Sequence, residues 1–138
     1  MKKDGTQRYR AFIPALLYYG VVFFFSSRNF PISLSAPGAD KGLHAAEFIL
    51  LGLFLAFGWF RVPKASLKLK ILGVLSSGFV LGGLDEVHQL FVAGRHADPV
   101  DALADTLGVG LGLLIYAWYH RTRGYKKNRP SDEPGLNS

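Results

Sequence analysis

Residues 69–91 read LKILGVLSSGFVLGGLDEVHQLF. From Ile71 to Leu84 the stretch carries no charge; Asp85, Glu86 and His88 then appear, and the run closes on the apolar Leu90 and Phe91. A surface helix of a soluble protein keeps one polar face along its whole length, and this one keeps none. Its length meets the ~20 residues a helix needs to cross a hydrocarbon core. The three ionisable residues at its end would each cost at least ~2.5–3.5 kcal/mol facing lipid, so they turn toward a bundle interior or a wet cavity.

The rest of the chain repeats this pattern. Comparable apolar blocks run from Ala11 to about Phe25, from about His44 to Phe60, and from about Asp101 to Tyr119, the last closing with Tyr116, Trp118 and Tyr119 as an interfacial belt. The expected fold class is therefore an all-α membrane protein with four transmembrane helices. Residues 1–10 form a basic amino-terminal segment, 11–121 the membrane domain, and 122–138 a polar tail with Pro130 and Pro134, expected to be disordered.

Charge orients the spans. The 138 residues hold 16 Lys and Arg against 10 Asp and Glu, a net charge of +6. The cations gather at Lys2, Lys3, Arg8 and Arg10, at Arg61, Lys64, Lys68 and Lys70, and at Arg121, Arg123, Lys126, Lys127 and Arg129. These segments fall on one side of a four-span protein, so both termini are expected in the cytoplasm and the connections around residues 28–41 and 92–99 outside. This distribution reads as a topology signal near anionic lipid, with no nucleic-acid partner. A cleaved signal peptide is the competing reading of the first span, disfavoured because Arg28-Asn29-Phe30-Pro31 precedes any plausible cleavage site. Cysteine is absent, so disulfides and thiolate metal sites are excluded.

Seven of the ten carboxylates lie between Asp40 and Asp105: Asp40, Glu47, Asp85, Glu86, Asp98, Asp101 and Asp105. On the assigned topology all are at the outer loops or outer helix ends, with Lys41, His44, His88, Gln89, Arg95 and His96. Helical spacing puts His44 and Glu47 on one face, Asp85, His88 and Gln89 on another, and Asp101 one turn from Asp105. Gly78, Gly82, Asp85 and Gln89 follow the same four-three-four steps as Asp101, Asp105, Gly108 and Gly112. The third and fourth spans are thus expected to pack along two ridges, small in mid-membrane and polar at the outer end. Bland roles compete at each position: glycine ridges are mostly packing devices, Arg95 with Asp98 or Asp101 suits a loop ion pair, and Asp101 suits a helix amino terminus.

Histidine with Asp and Glu at this spacing suits a divalent ion. His-Glu-x-x-His is absent, however, and Asp85-Glu86-Val87-His88 alone is a weak signal, so no metal ligand set is assigned from sequence and the cofactor stays open. Ser76 and Ser77 lie deep in the third span without a nucleophile-elbow context, and no phosphate-binding glycine loop is present.

Two motifs resemble a known family. Asp40-Lys41-Gly42-Leu43-His44 and Asp85-Glu86-Val87-His88-Gln89-Leu90-Phe91-Val92-Ala93-Gly94-Arg95, followed by Asp98, Asp101 and Ala104-Asp105-Thr106-Leu107-Gly108, look like the VanZ-like membrane proteins. That family is named for a teicoplanin-resistance factor of enterococci. Glu47 and Asp105 depart from its usual residues and make this outer cluster more acidic. The resemblance implies a small multi-pass protein of the bacterial cytoplasmic membrane, associated with the cell envelope. It supplies no reaction, and glycopeptide tolerance attaches to the family name rather than to these residues.

Three functions follow as expectations. The first is an extracytoplasmic site that binds or processes a membrane lipid or lipid-linked envelope precursor. In that reading Asp85, Glu86 and His88 are the acid–base candidates, and Asp40, Lys41, His44, Glu47, Gln89, Arg95, Asp98, Asp101 and Asp105 contact the ligand, Lys41 and Arg95 through phosphate. So many carboxylates suit an anionic ligand poorly unless an amine or a bridging divalent ion is involved. The second is a structural clamp holding a bundle or an oligomer together. The third, a small transporter or channel, lacks an inverted repeat and a charge path to the cytoplasmic face.

Overall fold

The computed structural model describes residues 9–27, 39–94 and 99–127, with the side chains of residues 39–41 and 124–127 outside that description. Among the described residues the chain is all-helical: α1 Ile13–Ser26, α2 Ala39–Trp59, α3 Leu67–Gln89 and α4 Pro99–Lys127. Three helices contain segments long and apolar enough to cross a bilayer, Gly42–Trp59, Leu67–Gln89 and Pro99–Arg123. The first expected span is shorter, a 14-residue apolar helix. Pro14 sits in its first turn, where its missing N–H is no loss, and a separate turn closed by Phe12 N–H on the Tyr9 carbonyl precedes it.

Local chemistry sets the helix ends. Ser66 opens α3 by accepting the Leu69 N–H at 3.2 Å. At the end of α2, Arg61 donates to the Phe57 carbonyl and Lys70 to the Phe60 carbonyl, placing cations on the negative end of the helix dipole. Gly94, just past α3, adopts a φ of 81°, the left-handed region that favours glycine. Helix α4 continues to Lys127, so residues 122–127, expected in the tail, are helical.

The most extensive helix pair is α2 with α4, and glycine makes it so. A Cβ on Gly52 would overlap the Val109 backbone, and one on Gly112 the Ile49 carbonyl. On Gly108 it would lie 2.9 Å from the Ala45 carbonyl oxygen. Backbones approaching this closely maximise van der Waals contact, the main association force between helices in lipid. This corrects one expectation. Gly78 and Gly82 of α3 do face α4, at Val109 and Asp105, but Gly108 and Gly112 face α2. Because α4 lies between both neighbours, its small ridge and the adjoining Asp105–Val109 line serve different partners.

Helix α1 spans the depth of the bundle. Phe12 packs edge-on against Trp59 at one end, the Tyr19 hydroxyl donates to the Leu81 carbonyl at 2.9 Å, and Ser26 reaches Asp85 at the other end. The buried core is Val22, Phe48, Leu51, Leu55, Ala56, Val74 and Val109. Outward, every helix exposes large apolar side chains, including Leu17 at 68%, Leu50, Phe79 and Leu107 at 70%. Apolar surface this extensive is foreign to a soluble monomer and natural against lipid.

Candidate functional site

The antiparallel run of the helices brings the end of α1, the start of α2, the end of α3 and the start of α4 to one end of the bundle. Their polar side chains meet there. Asp85 and Asp105 are fully buried, and Glu86 and Gln89 nearly so. Buried Asp and Glu are rare without partners, which makes the partners informative.

His44 stands at the centre. Its Nδ1–H donates to Glu47 Oε2 at 3.2 Å, one turn along α2. Its Nε2 faces two carboxylates, Asp85 Oδ2 at 3.4 Å and Asp105 Oδ1 at 3.5 Å, and hydrogen-bonds to neither. Asp85 Oδ2 is instead held by Ser26 Oγ–H at 3.0 Å and Gln89 Nε2–H at 3.1 Å. Its Oδ1 and both oxygens of Asp105 are buried and accept no hydrogen bond. A donor atom from each of His44, Asp85 and Glu86 lies within 4.8 Å of the others.

His88 belongs to a separate arm. Its ring stacks on Phe23 with centroids 3.9 Å apart, and its Nε2 lies 2.7 Å from Ser27 Oγ. Ser27 spends its one proton on the Phe23 carbonyl at 2.7 Å, so it accepts from His88 Nε2–H. In this arrangement His88 is a donor to the serine, the reverse of what activates a nucleophile.

Of the residues singled out from sequence, His44, Glu47, Asp85, Glu86, Gln89 and Asp105 converge, and His88 adjoins them through α1. Asp101 lies half-buried in the first turn of α4. Asp40 and Lys41 fall in the first turn of α2, their side chains outside the described set, and Arg95 and Asp98 lie outside the described residues altogether. Sequence reasoning missed Ser26 and Ser27. Their signal was faint but present: they are the first hydroxyls after Phe23-Phe24-Phe25, at the outer end of an apolar run.

An imidazole whose Nε2 is buried between carboxylates can hold a proton or a cation, or orient a polar head group. No curated protein and no solved structure matches the chain. The family model described as VanZ/LLP1 matches residues 9–120, which takes in both motifs, most of the chain and nearly all of its helical bundle, and this multi-pass membrane protein therefore belongs to the VanZ/LLP1 family.

Proposed function

We propose that the protein binds or processes a lipid or lipid-linked envelope precursor at this polar end, and that the end faces the extracytoplasmic side of the bacterial membrane. One observation carries the reading. Buried carboxylates and an imidazole gather at one end of helices whose outer surfaces are otherwise apolar, and ionisable groups are kept inside a membrane protein mainly for function. The orientation rests on the basic segments at the opposite end, including Arg61, Lys70, Arg121 and Arg123. Helix α1 is read as the fourth span because it contacts both ends of the longer helices. Lys41 and Arg95 would supply the contacts to phosphate. Tolerance of glycopeptides such as teicoplanin would be a downstream effect of acting on such a precursor.

The test is a comparison of envelope lipids and lipid-linked precursors in cells lacking the protein, complemented with wild type or with Glu86→Gln. One species should change on deletion and return with wild type. It should stay altered with a variant that is equally abundant in the membrane.

A structural clamp is the second reading, favoured by Ser26 and Gln89, which tie α1 to α3 through Asp85. On that reading Glu86→Gln lowers the amount of folded protein instead.

A further inference from the structure

We propose that the polar end is a divalent metal-ion site in which His44 Nε2, Asp85 and Glu86 are the donors, Asp105 stands beside the same nitrogen to balance charge, and Zn²⁺ or Mn²⁺ is the class of ion. The inference rests on reading the cluster as a ligand site and names what fills it.

Three independent features point to a cation. First, His44 Nε2 is buried without a hydrogen-bond partner, although carboxylate oxygens stand 3.4 and 3.5 Å away. Those separations exceed the 2.7–3.2 Å of a good N–H···O bond. They match the spacing of two donors on one tetrahedral ion, about 3.4 Å for metal–ligand bonds of about 2.1 Å. Second, Asp105 is fully buried, directed at the same nitrogen, and neither of its oxygens accepts a hydrogen bond. Among the described residues no lysine or arginine reaches Asp85 or Asp105, so even a protonated His44 leaves this pair one positive charge short. Third, Glu47 holds Nδ1. A carboxylate on the far nitrogen is the usual outer support of a metal-bound histidine, fixing its tautomer and aiming Nε2 at the ion.

The donor set selects the ion. One imidazole with carboxylates and no thiolate suits Zn²⁺ or Mn²⁺ rather than a soft metal. The donors come from α2 and α3, with Asp105 of α4 beside them, so binding would tie two helices directly and draw the third in through charge. It would also resolve a conflict of charge: an acidic cluster repels a phosphate head group, and a divalent ion seated in it attracts one.

The untagged full chain, purified in detergent and stripped with a chelator, would be titrated with Zn²⁺ and Mn²⁺ and its bound metal measured. The expected result is one saturable equivalent per chain, with affinity reduced at least tenfold in Asp105→Asn and in His44→Gln. His120→Gln, at the opposite end of α4, should bind as wild type does. No stoichiometric binding to wild type, or undiminished binding in both variants, overturns the proposal. Should those variants fail to fold, the melting temperature of wild type decides: it must rise with metal concentration by mass action, and a flat response overturns the site. Metal binding with unaltered envelope lipids would remove the lipid reading and leave the metal site standing. A lipid phenotype without metal binding would do the reverse.

Discussion

The two ends of the bundle both carry polar side chains and use them differently. At the aromatic end, near the α2–α3 turn, no buried polar side-chain atom among the described residues lacks a hydrogen-bond partner. Trp59 Nε1–H donates to Ser77 Oγ at 3.1 Å, Arg61 and Lys70 donate to the Phe57 and Phe60 carbonyls, and Arg61 lies over the Phe57 ring. Gly58 and Gly73 leave room for the rings of Phe12 and Trp59. At the other end His44 Nε2, Asp85 Oδ1 and both Asp105 oxygens are buried without a hydrogen bond. Satisfied polar groups stabilise and specify a fold; unsatisfied buried ones cost stability and persist where something else is served. The proposed function places the chemistry at the unsatisfied end and leaves the satisfied end a structural part.

The most decisive way to break the comparison is all-or-none. In the cysteine-free chain, Ala97→Cys should react with an impermeant thiol reagent in intact cells and Thr122→Cys should not; the opposite labelling would invert the orientation. Next in size is Gly73→Leu. A Cβ there would sit 2.5 Å from the Trp59 ring, and overpacking of this kind costs about 1–3 kcal/mol, occasionally more. Folded protein recovered from membranes should fall several-fold or vanish, and normal recovery would show the aromatic end to be soft. The smallest stability effects separate the ends most sharply. Trp59→Phe removes one hydrogen bond and should lower unfolding free energy by about 1 kcal/mol while sparing envelope function. Asp105→Asn removes a buried charge lacking a hydrogen bond, so it should leave stability unchanged or raise it while abolishing function. A loss beyond about 3 kcal/mol for Asp105→Asn, the range for breaking a buried ion pair, would instead make the polar end a clamp.

Much of this was legible in the chain itself, for a physical reason. Lipid offers no hydrogen bonds to backbone, so an uncharged run such as Ile71–Leu84 has little choice but helix. Segments expected at 44–60, 69–91 and 101–119 appear as Ala39–Trp59, Leu67–Gln89 and Pro99–Lys127. The first span, expected from Ala11 to about Phe25, appears as Ile13–Ser26 with Pro14 in its first turn. Asp85, Asp105 and His44 announced themselves because charge among apolar residues is costly. Ser26 and Ser27 did not, since a hydroxyl near a helix end costs little anywhere. Glycine spacing revealed that α4 makes close contacts, but a small residue does not name its neighbour, and so the α2–α4 pairing stayed hidden. Nor could spacing show that His88 turns to Phe23 while Asp85, three residues earlier, turns to His44: that depends on where α1 sits around α3.

The glycine contact between α2 and α4 has a mechanical consequence for the cluster. Gly52, Gly108 and Gly112 set backbone against backbone, and backbones in contact have no rotamers through which to yield. His44 rides on one of these helices and Asp105 on the other, so their separation is the stiffest dimension of the site. Helix α3 meets α4 at Gly78 through the methyl groups of Val109, a compliant joint by comparison. Asp85 and Glu86 therefore sit on the jaw that gives, and His44 and Asp105 on the anvil.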